Sequence, residues 1–144
     1  MKRLIIFMMS VMLFFAVNSV SAHAGETDTL RESIYNDINT YRIQNGLQPL
    51  LYGNYEVASD VRAQEAERIW SHTRPDGSEY WTADERIYGE NLAKPSFTTV
   101  DRVVPAWINS PIHNSLLLAP DYASCCVGVY ETSTGYCISC EFGY

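Results

Sequence analysis

The segment CCVGVYETSTGYCISCEF, residues 125–142, alternates apolar and polar positions on both sides of Thr132-Ser133-Thr134-Gly135. Period-two alternation places every second side chain on one face of a strand, and a glycine-bearing turn between two such runs makes a hairpin. What precedes the hairpin reads as helix. Leu30, Ile34, Ile38 and Tyr41 step by fours and threes, predicting a helix over Thr29–Asn45. Thr29 with Glu32 reads as a capping box, and Asn45-Gly46 followed by Pro49 as the stop. A second helix is expected over Tyr55–Trp70 with Ala58, Val61, Ala66 and Ile69 toward the core, and Pro75-Asp76-Gly77 reverses the chain after it. A third begins near Thr98, with Val100, Val103, Val104 and Trp107 as its apolar stripe; Pro105 either kinks it or marks its true start. Helices followed by a strand pair predict an α+β fold, helices packed on a small, mainly antiparallel sheet.

The N-terminus does not belong to that fold. Lys2 and Arg3 precede an apolar run from Leu4 to Val17, and Ala22-His23-Ala24 offers a small-residue cleavage site. This is the layout of a secretory signal peptide, residues 1–24, with cleavage after Ala22 as the close alternative. At 14 residues the run falls short of the roughly 20 that a helix needs to cross a bilayer. No membrane span is expected after cleavage, and the predicted product is a secreted single domain, residues 25–144. A chain of this length buries about two-thirds of its unfolded surface, enough for a core.

Losing Lys2 and Arg3 leaves 8 basic side chains against 17 acidic ones, a net charge of −9. Nucleic acid and anionic headgroups need basic patches, and no two basic residues adjoin here, so those partners are excluded. Cys125, Cys126, Cys137 and Cys140 all fall in the hairpin. In an exported chain an even count reads first as disulfides. The neighbours Cys125 and Cys126 would strain if joined to each other, which leaves two connectivities open. A zinc site on Cys137-Ile138-Ser139-Cys140 lacks a second correctly spaced pair, and a redox reading lacks the strand-to-helix context.

Candidate chemistry gathers at element junctions. His72 follows the second helix, Glu90 precedes the third, and His113 follows it. Two imidazoles and a carboxylate suffice for zinc or another divalent cation with one position open, or for metal-free acid–base work. Glu65 and Glu79 could add a carboxylate; the plainer reading makes Glu65 an ion pair with Arg62 and Glu79 a solvated turn residue. Tyr80, Trp81, Tyr88 and Trp107 line a ligand groove or belong to the core. No G-x-S-x-G, HExxH or phosphate loop occurs.

Three ordered motifs, SHTRPDG (Ser71–Gly77), GENLA (Gly89–Ala93) and AWINSPIHNSLL (Ala106–Leu117), resemble the bacterial, SCP-like branch of the CAP superfamily. That superfamily unites cysteine-rich secretory proteins, antigen five and plant pathogenesis-related class-one proteins. Asn39, Arg42, Gly46, Pro49 and Leu50 match its N-x2-R-x3-G-x2-P-L helix signature, and VRAQE (Val61–Glu65) and VGVY (Val127–Tyr130) match flanking segments. The resemblance implies an α-β-α sandwich with a central cleft where two His and two Glu can hold a divalent cation. On that pattern His72 and His113 are the histidines and Glu90 the first glutamate, while Ser110 stands where the second glutamate belongs. Ile112 and Asn114 replace the family's usual glycine and arginine, and the four cysteines are not general in the bacterial branch.

The resemblance implies a secreted, non-catalytic protein binding an apolar small molecule, a lipid or an extracellular partner, with His72, Glu79, Trp81, Glu90, Ser110 and His113 around the cleft. One alternative is a metal-assisted hydrolase with Glu90 as base. Another is a structural or adhesive protein with a vestigial site.

Overall fold

The computed structural model describes residues 25–95 and 100–144, apart from the side chains of residues 100 and 101. The leader expected over residues 1–24 and the helix start expected near Thr98 lie outside the described residues. The elements run α1 (25–44), β1 (Leu51–Tyr52), α2 (Glu56–Arg68), a 3-10 turn (Tyr80–Ala83), β2 (Gly89–Ala93), α3 (Val100–Ile108), α4 (Pro111–Leu117), β3 (Ser124–Thr132) and β4 (Gly135–Gly143). Among the described residues no helix is long and apolar enough to cross a membrane.

The terminal hairpin forms the middle of a four-stranded sheet ordered β1-β3-β4-β2. β3 and β4 pair antiparallel from Ser124↔Gly143 to Thr132↔Gly135, β2 adds antiparallel to β4, and the short β1 adds parallel to β3. Strand alternation divides the hairpin between two layers. Cys125, Val127, Val129, Ile138, Cys140 and Phe142 face a core that takes Leu30, Ile34 and Ile38 from α1, Val103, Val104 and Trp107 from α3, and Leu117 from α4. Cys126, Gly128, Cys137, Ser139 and Glu141 take the other parity, toward α2, where Cys126 packs with Ala58 and Cys137 with Ala66. The result is the expected α-β-α sandwich.

α2 lies unusually close to the sheet. Its buried face is Ala58, Ser59, Arg62, Ala63 and Ala66. A Cβ on Gly128 would sit 2.0 Å from the Ser59 carbonyl oxygen, so glycine is what allows β3 to touch the helix backbone. Small residues and one arginine therefore face the sheet. Val61 and Ile69, expected in the core, are instead exposed. α1 starts earlier than predicted within the described residues, and Thr29 lies inside it, donating its hydroxyl to Gly25 O at 2.7 Å rather than capping the helix. Pro105 sits within α3, and the helix continues through it.

Two helix-signature residues fasten α1 to the loops. Asn39 Nδ2 donates to Leu50 O at 3.0 Å and its Oδ1 accepts from Leu50 N at 2.7 Å, so the side chain behaves as a short strand neighbour. Buried Arg42 donates to the carbonyls of Gln48, Leu117 and Ala119, tying α1 to the chain after α4.

The disulfide expectation is corrected: all four cysteines are buried free thiols. Register and alternation explain the arrangement. Cys125 stands opposite Phe142, Cys126 opposite Glu141, Cys140 opposite Val127 and Cys137 opposite Tyr130, so no two cysteines are directly paired. Cys125 and Cys140 share one face of the sheet, and Cys126 and Cys137 take the other.

Candidate functional site

Glu90 is the hub. β2 is wholly buried, and its alternation turns Glu90 toward α2, opposite Glu141 on β4. The Arg62 guanidinium, itself fully buried, grips Glu90 by two bonds, Nε to Oε2 at 2.7 Å and Nη2 to Oε1 at 3.1 Å. His72 Nδ1 donates to Glu90 Oε1 at 2.6 Å, which orients the ring and leaves Nε2 facing away from that bond; the His72 side chain is 53% exposed. Burial pushes the Glu90 carboxyl up, but the His72 hydrogen bond and the Arg62 pair outweigh it and hold it below the ordinary glutamate range.

Arg62 also braces the loop that carries His72. Its Nη1 meets Glu65 Oε2 at 2.6 Å and its Nη2 donates to Ser71 O at 3.0 Å. Arg74, two residues past His72, closes on Glu65 with Nη2 2.8 Å from Oε1. Glu65 is thus an ion-pair residue, held acidic against its partial burial by Arg74 and Arg62.

Glu141 was not anticipated. It is fully buried, and neither of its oxygens has a hydrogen-bond partner among the described residues. Burial and the charge of Glu90 push Glu141 well above the ordinary range, against the smaller opposing pull of Arg62. With one guanidinium facing two carboxyls, the charge balance favours a proton on Glu141. Period-two alternation from Cys137 through Ser139 was the available signal, since it points Glu141 inward.

His113 comes from α4, a helix begun by Pro111 at its first turn after Ser110. Its Nδ1 lies 2.9 Å from Ser110 Oγ, and its carbonyl accepts from Asn91 Nδ2 at 3.2 Å, which ties α4 to β2. Burial first, then charge on His72, lower the His113 pKa, so the ring stays neutral near pH 7. Ser110 and His113 line a largely apolar cleft of about 340 Å³ whose walls include Leu92, Trp107 and Trp70. Lys94 also lines it, with Nζ 4.9 Å from the centre of the Trp70 ring. Trp70 and Lys94 are therefore site residues that motif reading passed over.

Two expected members lie elsewhere. Glu79 is an exposed residue of the turn after His72, bridged to Thr73 through the backbone. Trp81 is half exposed and meets Tyr80 edge-on at 5.0 Å, outside the cleft.

The residues present do not fit a divalent cation. Both Glu90 oxygens are engaged by Arg62 and His72, and Arg62 supplies the positive charge a metal would bring. Ser110 adds a hydroxyl where a carboxylate would be needed. Among the described residues no group of three or more His, Cys, Asp or Glu is arranged to hold a metal.

A helix–sheet–helix sandwich thus brings the SHTRPDG histidine onto the GENLA glutamate, beside a cleft carrying a second histidine. The chain belongs to the CAP (cysteine-rich secretory protein) family, whose profile matches residues 35–142. Among solved structures it is similar to an SCP-domain extracellular protein of Bacillus anthracis, with TM-score 0.71 and 17% identity over 81% of this chain and 41% of that one. A cysteine-rich secretory protein of Staphylococcus aureus gives 0.64 and 21% over 81% and 39%. An outer surface protein of Borrelia burgdorferi gives 0.62 and 25% over 76% and 87%. The chain thus spans about two-fifths of the first two and most of the third. No curated protein matches it by sequence.

Proposed function

We propose that this protein is secreted and binds an apolar small molecule or lipid in the cleft between β2, α3 and α4, without catalysing a reaction. The observation that carries the reading is the cleft itself: apolar walls that include Leu92, Trp107 and Trp70, with Lys94, Ser110 and His113 as its polar side chains. Small-molecule sites have this composition, an apolar body with a few placed polar groups. An extracellular location is supported by the similar proteins, described as extracellular or outer surface proteins.

The test is a thermal melt with decanol and decanoate, read beside tryptophan fluorescence. A ligand at a hundredfold excess over its Kd stabilises the native state by about 2.7 kcal/mol. The effect should vanish in Ala106→Trp, which fills the cleft from α3. Unchanged melting with both ligands would remove the reading.

The short His72–Glu90 bond favours a second reading, acid–base catalysis by His72 with Glu90 orienting the ring. It predicts hydrolysis that survives chelator and is lost in Glu90→Gln. A purely structural or adhesive role predicts that His72→Ala alters stability alone.

A further inference from the structure

We propose that the row of aromatic rings running from His72 to Tyr122, outside the cleft, is a platform for a neutral, extended oligosaccharide. The rings form two adjoining groups. His72 and Tyr80 lie 6.1 Å apart, Tyr80 and Trp81 5.0 Å, Tyr88 and Tyr144 4.6 Å, and Tyr144 and Tyr122 5.4 Å. The two halves meet at one backbone atom, the Tyr88 carbonyl oxygen, which accepts from the Tyr80 hydroxyl at 3.2 Å and the Tyr122 hydroxyl at 3.3 Å. Trp81, Tyr88 and Tyr144 are 47%, 52% and 68% exposed.

The row is held from beneath rather than lying loose. Phe142, from the core, stacks under Tyr122 at 5.3 Å with a 21° tilt. A Cβ on Gly89 would stand 2.5 Å from the Tyr122 hydroxyl oxygen, so glycine lets that ring lie against β2. Scattered exposed aromatics need no explanation, but adjoining, buttressed groups of them mark an interaction site.

The chemistry of the rings selects the partner. Besides His72 and Trp81, the exposed members are the tyrosines Tyr88 and Tyr144, which offer an apolar face and a polar tip together. A β-linked hexose chain presents the complement: axial C–H faces to lie on rings, a rim of hydroxyls to bond phenols, and an extended shape to follow a row. Charge narrows the class. Exposed Glu79 and Asp121 adjoin Tyr80 and Tyr122 in the chain, and the nearby cation, Arg86, is paired with Asp84 at 2.5 Å. An acidic glycan would be repelled, which leaves a neutral one. Proline-rich peptides also use aromatic surfaces, but they need grooves between rings. Here the Tyr122, Tyr144 and Tyr88 rings are tilted by only 33° and 47°, which makes that half a shallow, warped platform, while Tyr80 stands edge-on to Trp81 and to His72.

The test is an NMR titration of the protein with cellohexaose and with chitohexaose, together with Trp81 fluorescence. At least one should bind saturably, with shifts centred on Tyr80, Tyr88 and Tyr144. Tyr88→Ala/Tyr144→Ala removes two exposed ring faces and should weaken binding about tenfold. Tyr88→Phe/Tyr144→Phe should lose less, and Lys94→Ala in the cleft should leave sugar binding unchanged. Three results would overturn the proposal: neither sugar binding at millimolar concentration, binding unaltered in a natively melting double alanine variant, or binding of a proline-rich decapeptide in place of both sugars.

Discussion

Glu90 and Glu141 face each other across the β2–β4 ladder, both buried, with Arg62 as the cation between them and α2. Two carboxyls and one guanidinium leave room for one proton, and the pKa directions place it on Glu141, raised, while Glu90 is lowered. A raised acid stabilises the fold fully below its unfolded pKa of about 4.3, and that contribution drains away as pH climbs toward the folded value. Glu141→Gln keeps the shape and mimics the protonated form. The variant should therefore gain stability over wild type as pH rises from 5 to 9, and the two should converge near pH 4. Urea melts across that range check it; a gap that fails to widen with pH would mean Glu141 is not the proton carrier.

Arg62 holds the site together, and its loss should be costly. Breaking a buried ion pair from one side costs about 3–5 kcal/mol, because the remaining charge has no partner. Arg62→Met strands Glu90 and releases Ser71 O and Glu65, so the His72 loop should loosen as well. Adding Glu90→Gln to Arg62→Met should recover part of the loss. A double-mutant cycle by chemical denaturation reads the coupling, and simple additivity would contradict the pairing seen here.

The sequence carried the architecture wherever one physical signal dominated. Period-two alternation gave β3 and β4, and the step of Leu30, Ile34 and Ile38 gave the buried face of α1. α2 was found, but its face was misassigned: hydrophobicity pointed to Val61 and Ile69, whereas close approach to Gly128 selects small residues at Ser59, Ala63 and Ala66. Packing distance is a tertiary property that no local pattern records. The same applies to the site. Motifs located His72, Glu90 and His113, but Arg62's claim on Glu90 depends on how α2 is set against β2. The register that brings Glu141 to Glu90 spans two strands nearly fifty residues apart in the chain. The cysteines misled because composition argues for bridges while register keeps the thiols out of opposition.

Gly128 offers a direct check of the α2–sheet contact. An added methyl would press on the Ser59 carbonyl and the Asp60 amide, which are backbone and cannot rotate away. Overpacking a core typically costs about 1–3 kcal/mol, and here Gly128→Ala should reach the upper end. It should also disturb Ser139, whose hydroxyl donates to the same Ser59 oxygen at 2.8 Å. A melting temperature within a degree of wild type would show that the helix has freedom to move off the sheet.

The thiols give a last, chemically separate prediction. Burial raises Cys137 to about 11 and Cys126 to about 12, and pushes Cys140 well above its usual value, helped by its hydrogen bond with Cys125. The thiolate is the reactive form, so native protein at pH 8 should react negligibly with a thiol probe. After denaturation under non-reducing conditions, four equivalents should be labelled per chain, in agreement with four free cysteines. Mass spectrometry distinguishes the alternatives by hydrogen count. Two labels in place of four, with two hydrogens missing, would mean that one pair bridges on export. Cys125 and Cys140, already in contact on one face of the sheet, would be the pair, and the hairpin would then be cross-linked through its core.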